Sequence, residues 1–445
     1  MPVSPARAAA FEILMRVERD NSYASELLHA ARYLKLSPAD HGLATELVMG
    51  VLRWRSLLDQ NIAAASSQKL AKLDLEVLLA LRLGVYQMLF LERIPQRASV
   101  HESVELVKRG RKQSAAPFVN AVLRKLAQVP TAEDPILAIQ SASTIAALAQ
   151  LSAHPLWLVK RWVEQFGFAT AKAICIYNQT VPTTTIRLRD AGVEDELRSA
   201  GLELAQGTLL TRARSVFRGD VTKTKAFAAG RVAIQDEASQ LVALLVGRGQ
   251  RLLDCCAAPG GKTSILAERN PEAPITALEL HPHRARLLRK LVSAHRVRVL
   301  AGDARDIPLV AEFDRVLADV PCSGTGTLAR NPEIKWRLTP EDLADLQSRQ
   351  VAILSSAMSR VASDGRLIYS TCSLEPEENS EVIEKTLAAD TRSFCLLDCR
   401  EELNRLSEEG ELALKDTDSL VSGKYLRILP GVHGSDGFFA AILEH

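Results

Sequence analysis

The stretch from Arg251 to Leu266, RLLDCCAAPGGKTSIL, constrains the fold of this 445-residue chain more than any other. Two leucines predict a short buried strand, and the Pro-Gly-Gly sequence at 259–261 interrupts regular structure before an apolar helical segment. Strand, glycine loop and helix, in this order, are how a doubly wound α/β sheet presents a nucleotide-like cofactor at its carboxyl edge. Glycines let a ligand approach the backbone closely, and the first turn of a helix offers free N–H groups. The stretch therefore predicts a cofactor loop.

Two other interpretations of this stretch compete with a cofactor loop. A Gly-Gly turn between a strand and a helix is common and often binds nothing. A phosphate-binding P-loop requires a glycine five residues before the Gly-Lys pair. That position is Cys256, so the P-loop pattern is not met.

Four more β-like segments follow the loop, at 274–280, 298–303, 315–319 and 366–369. An acid or a cysteine stands at or just past the end of each of them: Glu279, Asp303, Asp319 with Cys322, and Cys372. The carboxyl ends of the strands are where ligands lie in an open α/β sheet. The pattern therefore predicts a Rossmann-like α/β domain with its chemistry along one edge of the sheet.

The charge is unevenly distributed along the chain. Residues 1–130 carry 18 Lys and Arg against 12 Asp and Glu, and the remainder carries 37 against 41. A basic front part beside a nearly neutral catalytic part suits a polyanionic substrate. An excess this small also fits an ordinary solvated face, and the sequence alone leaves both interpretations open.

Several classes of protein are disfavoured by composition. No run of 18 apolar residues is present, so no membrane span is expected, and the N-terminus lacks the apolar core of a signal peptide. Seven cysteines without a CxxC pair argue for a reducing compartment and against a disulfide scaffold or a zinc site. We therefore expect a cytoplasmic protein without a bound metal.

Composition and the spacing of apolar residues divide the chain into four predicted parts. Apolar positions at helical spacing predict a bundle of roughly six to eight helices at the front. The predicted parts are an all-helical domain at 1–128, a helical connector at 129–152, a small α/β module at 153–230 and the catalytic domain at 231–445. Within the module we expect helices at 158–166 and 193–200 and strands at 182–189 and 207–210. Two β-like runs at 425–429 and 438–443 predict an antiparallel ending.

Two sets of basic residues are candidates for contacts with RNA. The run Lys108-Arg109-Gly110-Arg111-Lys112 lies beside a predicted helix and suits phosphate binding, and the alternative is an exposed, solubilising loop. Arg187 and Arg189 alternate with apolar residues in a predicted strand. They are expected either to meet RNA or to form the polar face of an edge strand.

Cys322 and Cys372 are the most informative candidates for chemistry. A cysteine is normally a small buried hydrophobe, but these two lie in polar turns, Pro-Cys-Ser-Gly and Thr-Cys-Ser, after predicted strands. Two thiols at one pocket suggest covalent catalysis. The residues alone do not decide which thiol attacks, because a nucleophilic cysteine needs a lowered pKa and access. Asp319 is a candidate acid, with a helix-capping loop carboxylate as its alternative.

Such a set of groups suits methylation of a pyrimidine. A thiolate that adds to C6 of cytosine turns C5 into a carbon nucleophilic enough to attack an electrophilic methyl group. A base must then remove the proton on C5 so that the thiol can leave. The scheme needs a nucleophilic cysteine, an acid that supports protonation at N3, and a pocket for a methyl donor.

The motifs CCAAPGGKT, DVPCSGTG, NPEIKW and YSTCS resemble those of the RNA cytosine-C5 methyltransferases of the RsmB/NOP (NSUN-type) family, over about residues 230–445. The helical front part is similar to a NusB-like RNA-binding domain. The resemblance implies a class I methyltransferase domain, and transfer of a methyl group from S-adenosylmethionine to C5 of a cytosine in 16S rRNA, through a cysteine–C6 adduct. A monomer is expected. The alternatives are the same chemistry on tRNA and a non-catalytic RNA-binding factor of ribosome assembly.

The resemblance also implies roles for individual residues. Cys372 would be the nucleophile, Cys322 would help to release the product, and Asp319 would lie by the methionine end of the cofactor and the target base. Glu279, where the family usually has Asp, would hold the ribose hydroxyls, and Asp303 would lie near the adenine. The loop implied to bind S-adenosylmethionine consists of Cys256, Ala257, Ala258, Pro259, Gly260, Gly261 and Lys262.

Overall fold

The computed structural model describes residues 3–128, 134–292 and 296–445. The chain packs as two compact units, one formed by Met1–Val181 with Leu328–Arg337 and the other by Pro182–Thr327 with Leu338–His445. The predicted domain boundaries at 128, 152 and 230 stay a prediction, and part of the predicted connector, 129–133, lies outside the described residues.

The first unit is built from α-helices. Those within 3–128 are α1 (Pro5–Asp20), α2 (Ala24–Leu28), α3 (Pro38–Arg53), α4 (Arg55–Ala65), α5 (Leu75–Phe90), α6 (Gln96–Arg109) and α7 (Ala116–Leu126). These seven in the described front part confirm the predicted bundle. They are followed by α8 (Pro135–Ser141), α9 (Ile145–Leu151), α10 (Leu156–Phe166) and α11 (Phe168–Gln179). Helix α5 is apolar on all sides and buries ten of its residues, so it is the centre of the bundle.

The segment 328–337, which carries the NPEIKW motif and the short helix α17 (Ile334–Arg337), also belongs to the first unit. The buried side-chain nitrogen of Lys335 donates hydrogen bonds to the carbonyl oxygens of Arg53 and Ala153, at 2.8 and 3.0 Å. The Trp336 indole donates to the carbonyl of Leu52 at 2.6 Å. Leu52 and Arg53 end α3, where carbonyls lack partners within the helix. The motif therefore satisfies helix ends of the first unit.

The second unit begins with a four-stranded antiparallel sheet in the order β2-β3-β1-β4. Its elements are β1 (Thr184–Leu188), α12 (Val193–Ser199), β2 (Glu203–Gln206), β3 (Ala213–Arg218), α13 (Lys225–Ala228) and β4 (Val232–Ile234). Apolar residues of the strands pack with α12 and α13 into a small core of their own. The predicted strand at 182–189 and the predicted helices at 158–166 and 193–200 are confirmed.

The predicted strand at 207–210 is wrong, because the strands β2 and β3 lie on either side of it. The backbone N–H groups of Thr208, Leu209 and Leu210 donate instead to the carboxylate of Glu237, at 2.8–2.9 Å. A buried carboxylate that accepts three backbone hydrogen bonds holds these residues as a loop. Local β-like composition gave no sign of this distant partner.

The large sheet of the second unit has the strand order β11-β12-β13-β9-β8-β5-β6-β7, with β10 beside β13. Its elements are α14 (Glu237–Leu245), β5 (Leu252–Asp254), α15 (Gly261–Arg269), β6 (Ile275–Glu279), α16 (Pro282–Leu291), β7 (Val297–Ala301), β8 (Phe313–Asp319), α18 (Asp342–Met358), β9 (Val361–Thr371), α19 (Ser380–Ala388), β10 (Cys395–Leu397), α20 (Cys399–Glu408), β11 (Val421–Ser422), β12 (Tyr425–Ile428) and β13 (Phe438–Glu444). The five predicted strands and the antiparallel ending are confirmed.

The order of the parallel strands locates the ligand edge. Strand β5 pairs in parallel with β6 on one side and with β8 on the other, and β8 pairs in parallel with β9. The chain therefore reverses the direction in which it adds strands between β5 and β8. In open α/β sheets the ligand crevice lies outside the carboxyl ends of the strands at such a reversal. The Rossmann-like fold predicted for the catalytic domain is confirmed. A ligand site is expected at the carboxyl ends of β5 and β8.

None of the helices in the described residues has the length and apolar character needed to cross a bilayer.

Candidate active site

The loop after β5 is shaped by proline and glycine. The peptide bond between Ala258 and Pro259 is cis, and Gly260 has a φ of +117°, which side chains with a Cβ rarely adopt. A Cβ on Gly260 would lie 2.6 Å from Cδ1 of Leu288. Helix α15 begins at the next residue. Glycine is therefore required here both by the backbone conformation and by the space available.

We predict that Gly260→Ala weakens binding of the cofactor expected at this loop by about tenfold or more, with a loss of stability on the order of 1–3 kcal/mol from backbone strain. Gly410→Ala is the matched control, because Gly410 also has a positive φ, of +72°, but a Cβ there meets nothing within 4 Å. Calorimetric titration with S-adenosylmethionine and thermal melts measure the two effects. Equal affinity in both variants would contradict the prediction.

A cavity of about 130 Å³ lies against this loop at the carboxyl end of β5. Its lining includes every residue from Cys256 to Lys262, together with Asp319 from β8. The sequence-predicted loop residues and Asp319 are thus brought to one hollow. The residues of the lining that were not predicted are Ile234, Gln235, Ser239 and Asp254. Asp254 ends β5, the first strand of the large sheet along the chain. An acid at the end of a strand is the same pattern that predicted Glu279 and Asp319, so it could have predicted Asp254 as well.

Asp254 is a buried acid without full hydrogen bonding. Its side chain accepts a hydrogen bond from the Thr263 hydroxyl at 2.7 Å, whereas its other carboxyl oxygen is buried and has no hydrogen-bond partner among the described residues. Burial raises the pKa of Asp254 to about 7, against the opposing effect of the Thr263 hydrogen bond. A buried acceptor without a donor is costly, so the cavity suits a ligand with a hydrogen-bond donor or a positive charge.

Asp319 is held between two side chains. Its carboxylate forms an ion pair with the Lys262 ammonium at 2.8 Å and accepts a hydrogen bond from the Ser370 hydroxyl at 2.7 Å. The Lys262 ammonium also lies 5.0 Å from the centre of the Phe438 ring. Each oxygen of the Asp319 side chain is thus held by one neighbour. The predicted acid therefore stands in the site as an acceptor.

Glu279 and Asp303 lie at the ends of β6 and β7, as predicted, but neither lines the cavity. Glu279 is buried, and its carboxylate accepts a hydrogen bond from the backbone N–H of His281 at 2.9 Å. Asp303 is paired with Arg305 at 2.6 Å, and the Arg305 hydrogen bonds lower the pKa of that carboxyl. Both acids extend the polar edge beyond the hollow, and their roles toward a cofactor stay predictions.

The two predicted cysteines meet. The sulfur atoms of Cys322 and Cys372 lie 3.3 Å apart as free, partly buried thiols. Cys322 follows β8 by three residues and Cys372 follows β9 directly, and these two strands pair side by side. Asp319 connects the thiols to the hollow, because it lines the cavity and is bonded to Ser370, two residues before Cys372.

The pKa of the Cys322 thiol lies well above its ordinary value. The hydrogen bond with the Cys372 sulfur is the largest cause, followed by burial, and the negative charges of Cys372 and Glu378 act in the same direction. Burial also raises the pKa of Cys256, the cysteine that lines the cavity. These two cysteines are therefore protonated at neutral pH.

The basic residues that were candidates for RNA contacts differ in their exposure and in their ion pairs. Arg187 is 1% exposed, and its guanidinium is paired with Glu268 at 3.0 Å, so it is a structural residue. Both interpretations given for it, an RNA contact and an exposed polar strand face, are wrong, because the face that carries it is covered. Arg189 stays exposed beside Ser264. In the run 108–112, Lys108, Arg109 and Lys112 form ion pairs at 2.7–3.0 Å with nearby acids. Exposed pairs of this kind are weak and remain available to phosphates.

Comparison with known proteins identifies the chain's relatives. The probable ribosomal RNA small subunit methyltransferase B of Bacillus subtilis is 34% identical over 99% of this chain and 98% of its own length. The chain belongs to the RsmB/F methyltransferase family. The family model described as 16S rRNA methyltransferase RsmB/F matches residues 241–444, and the NusB family model matches residues 4–128. The RsmB/F chain is thus a methyltransferase with a NusB domain at its N-terminus, as the sequence predicted.

Two further comparisons extend over the whole RsmB/F chain. The probable ribosomal RNA small subunit methyltransferase B of Synechocystis is 32% identical over 99% of both chains. The crystal structure of PH0851 covers 100% of both chains with a TM-score of 0.79 at 23% identity, which shows the fold alone.

Proposed function

We propose that this RsmB/F methyltransferase transfers a methyl group from S-adenosylmethionine to C5 of a cytosine in 16S rRNA, with Cys372 as the nucleophile. The observation that carries the proposal is the pair of sulfur atoms of Cys322 and Cys372, 3.3 Å apart, at the end of the strand whose last residue, Asp319, lines the glycine-loop cavity. Covalent activation of a pyrimidine and a nearby methyl donor need just these neighbours. The names of the relatives from Bacillus and Synechocystis support the ribosomal substrate.

The residues of the hollow fit S-adenosylmethionine. The free oxygen of Asp254 would accept from the ammonium group, the N–H groups that begin α15 and the close backbone at Gly260 would receive the methionine part, and Glu279 would hold the ribose hydroxyls. The bound cofactor supplies an electrophilic methyl group on a sulfonium sulfur. Asp303 would lie farther along the edge, by the adenine.

The chain's own residues perform the remaining steps on the cytosine. The Cys372 thiolate forms a bond to C6, the C5–C6 double bond breaks, and the electron pair moves into the ring, where a proton at N3 balances it. C5 then takes the methyl group. The C5 proton then passes to solvent, its electron pair restores the C5–C6 double bond, and the bond from C6 to Cys372 breaks with the thiolate as leaving group. N3 gives up its added proton at the same stage, which restores the neutral ring. Cys322 lies beside the departing sulfur and would donate its proton to that thiolate.

Asp319 would orient the base. As a carboxylate it accepts a hydrogen bond from the exocyclic amino group of cytosine, and its charge favours the proton at N3. Lys262 and Ser370 fix its two oxygens, so the carboxylate is already oriented before RNA arrives. The target base must leave its stack to expose C6, because stacked neighbours cover both faces of the ring.

Bisulfite sequencing of 16S rRNA tests the proposal directly. Cells with and without the gene, and cells complemented with the Cys372→Ala variant, are compared at every cytosine. One cytosine is expected to be protected by methylation only where the intact enzyme is present. Unchanged protection of every 16S cytosine without the gene would exclude this substrate, and tRNA sequenced in the same samples would show the alternative.

We predict that the affinity for S-adenosylmethionine rises with pH through about 7. The raised pKa means that Asp254 holds a proton in the free protein below that value, and a carboxylate is needed to accept the ammonium group. The affinity should change by up to about tenfold per pH unit below pH 7 and level off above it. Without ligand the sign reverses for stability, because between the ordinary pKa of an aspartate and about 7 the unfolded chain has lost the proton that folded Asp254 keeps, so stability falls as pH rises over that window and levels off above it.

Calorimetric titration at a series of pH values, in the wild type and in Asp254→Asn, measures this effect. The asparagine variant cannot titrate at this position, so its weaker affinity should be nearly independent of pH. The same pH slope in both proteins would assign the titrating group elsewhere.

A further inference from the structure

Glu378 lies at the centre of a buried hydrogen-bond network behind the two cysteines. It ends a short turn just before α19 and has no solvent exposure. Its carboxylate accepts hydrogen bonds from the backbone N–H of Ser323 at 2.8 Å, from the Gln350 amide at 2.9 Å, and from the hydroxyls of Ser323 and Ser373. A buried carboxylate with four donors is well satisfied, and such networks fix one geometry.

The donors are the neighbours of the two thiols. Ser323 follows Cys322 in the chain, and Ser373 follows Cys372. The two serine hydroxyls also lie 3.1 Å from each other. One carboxylate therefore holds together the two loops that carry the sulfur atoms.

The network is asymmetric between the two loops. On the side of Cys322, Glu378 is bonded to a backbone N–H, and Gln350 extends the network to the carbonyl of Pro321 at 3.0 Å. On the side of Cys372 the contact is through the Ser373 hydroxyl. The negative charge is thus tied more closely to the loop of Cys322, and a nearby negative charge disfavours a thiolate.

We propose that Glu378 is a positioning residue that aligns the two sulfur atoms and keeps the proton of the pair on Cys322, so that Cys372 is the thiolate. The proposal rests on the covalent chemistry proposed above and gives a reason for the unequal roles of two cysteines in similar turns. A protonated Cys322 donates its S–H to the Cys372 sulfur and so stabilises the attacking form.

The other ionisable groups around the pair act in the same direction or are neutral. The charge of Glu378 is among the causes that raise the pKa of Cys322. Tyr369 donates its hydroxyl to the backbone carbonyl of Glu378 at 2.6 Å, and burial raises its pKa well above the ordinary value, so it stays neutral. Asp319 is paired with the Lys262 ammonium at 2.8 Å. Glu378 contacts both loops that carry the thiols, and no cation is among the contacts described for it.

The experiment measures the pH dependence of thiol alkylation in the full-length protein, without RNA or cofactor. Iodoacetamide reacts with thiolates, and mass spectrometry of the digested protein gives a separate rate for each cysteine. Glu378→Gln removes the charge and keeps the shape, Glu378→Asp keeps the charge and shortens the side chain by one methylene, and Glu384→Gln is the matched control. Glu384 lies on α19 and is exposed, so its substitution makes the same change in net charge away from the network.

In the wild type and the control, Cys372 is expected to react at lower pH than Cys322. In Glu378→Gln the midpoint for Cys322 should fall measurably, since one of the charges that oppose its ionisation is gone while burial and the Cys372 contact remain. In Glu378→Asp the midpoints should stay in the wild-type order, while kcat falls on the order of 10²-fold with KM for RNA unchanged, because misaligned sulfurs slow chemistry and not binding. A merely structural glutamate would not move one thiol's midpoint.

An unchanged Cys322 midpoint in Glu378→Gln would overturn the assignment of the proton, and wild-type kcat in Glu378→Asp would overturn the alignment. If Glu378→Gln fails to fold by its thermal melt, the order of the midpoints in Glu378→Asp still decides, since a reversed order contradicts the proposal. The alkylation profile is measured without RNA, so its outcome tests the role of Glu378 independently of the proposed substrate. Bisulfite sequencing tests the substrate.

Discussion

Cys372→Ala is expected to abolish methyl transfer while leaving cofactor binding unchanged. Without the nucleophile, C5 of cytosine stays unactivated, and the loss of turnover should be on the order of 10⁴-fold or more, as is usual for a covalent catalyst. Cofactor affinity should be retained because Cys372 does not line the cavity of the glycine loop. The measurements are transfer of a labelled methyl group to 16S rRNA and calorimetric titration with S-adenosylmethionine.

Cys395→Ala is the matched control for this substitution. Cys395 is an exposed free thiol on β10, far in sequence from both cysteine turns, and its removal tests for any general effect of losing a cysteine. Full activity is expected in that variant. Turnover at the wild-type rate in Cys372→Ala would remove Cys372 from the mechanism and shift attention to Cys322.

The α/β sheet and the meeting of the two thiols were predictable because they follow from local signals. Short apolar runs mark the strands, and in a parallel sheet the residues after such runs must share an edge. Asp319 ends β8, Cys322 comes three residues later and Cys372 directly follows β9, so sequence position was enough to bring them together. The spacing of the glycines likewise predicted the loop that lines the cavity.

What the sequence did not reveal depends on partners that are distant along the chain. Glu378 is one of three acids between residues 375 and 378, and only the fold shows that two serines from separate loops converge on it. Arg187 looked like a surface cation because it alternates with apolar residues, yet Glu268 from α15 makes its burial possible. The loop at 207–210 has the composition of a strand and is diverted by Glu237.

Cys322→Ala is expected to trap the covalent adduct between protein and RNA. In this variant Cys372 still attacks C6 and the methyl group is still transferred, but the group beside the departing sulfur, 3.3 Å away in the wild type, is gone. Removal of a positioned proton-transfer group typically slows a step by about 10²–10⁴-fold, so the methylated adduct should accumulate. A denaturing gel would show it as a slowly migrating band that ribonuclease digestion removes.

The double variant Cys322→Ala/Cys372→Ala, which has no nucleophile, should give no such band under the same conditions. If the single variant also gives none at any time or RNA concentration, while methylation proceeds, then Cys322 does not serve in release, and the close approach of the two sulfurs must act earlier, in forming the Cys372 thiolate.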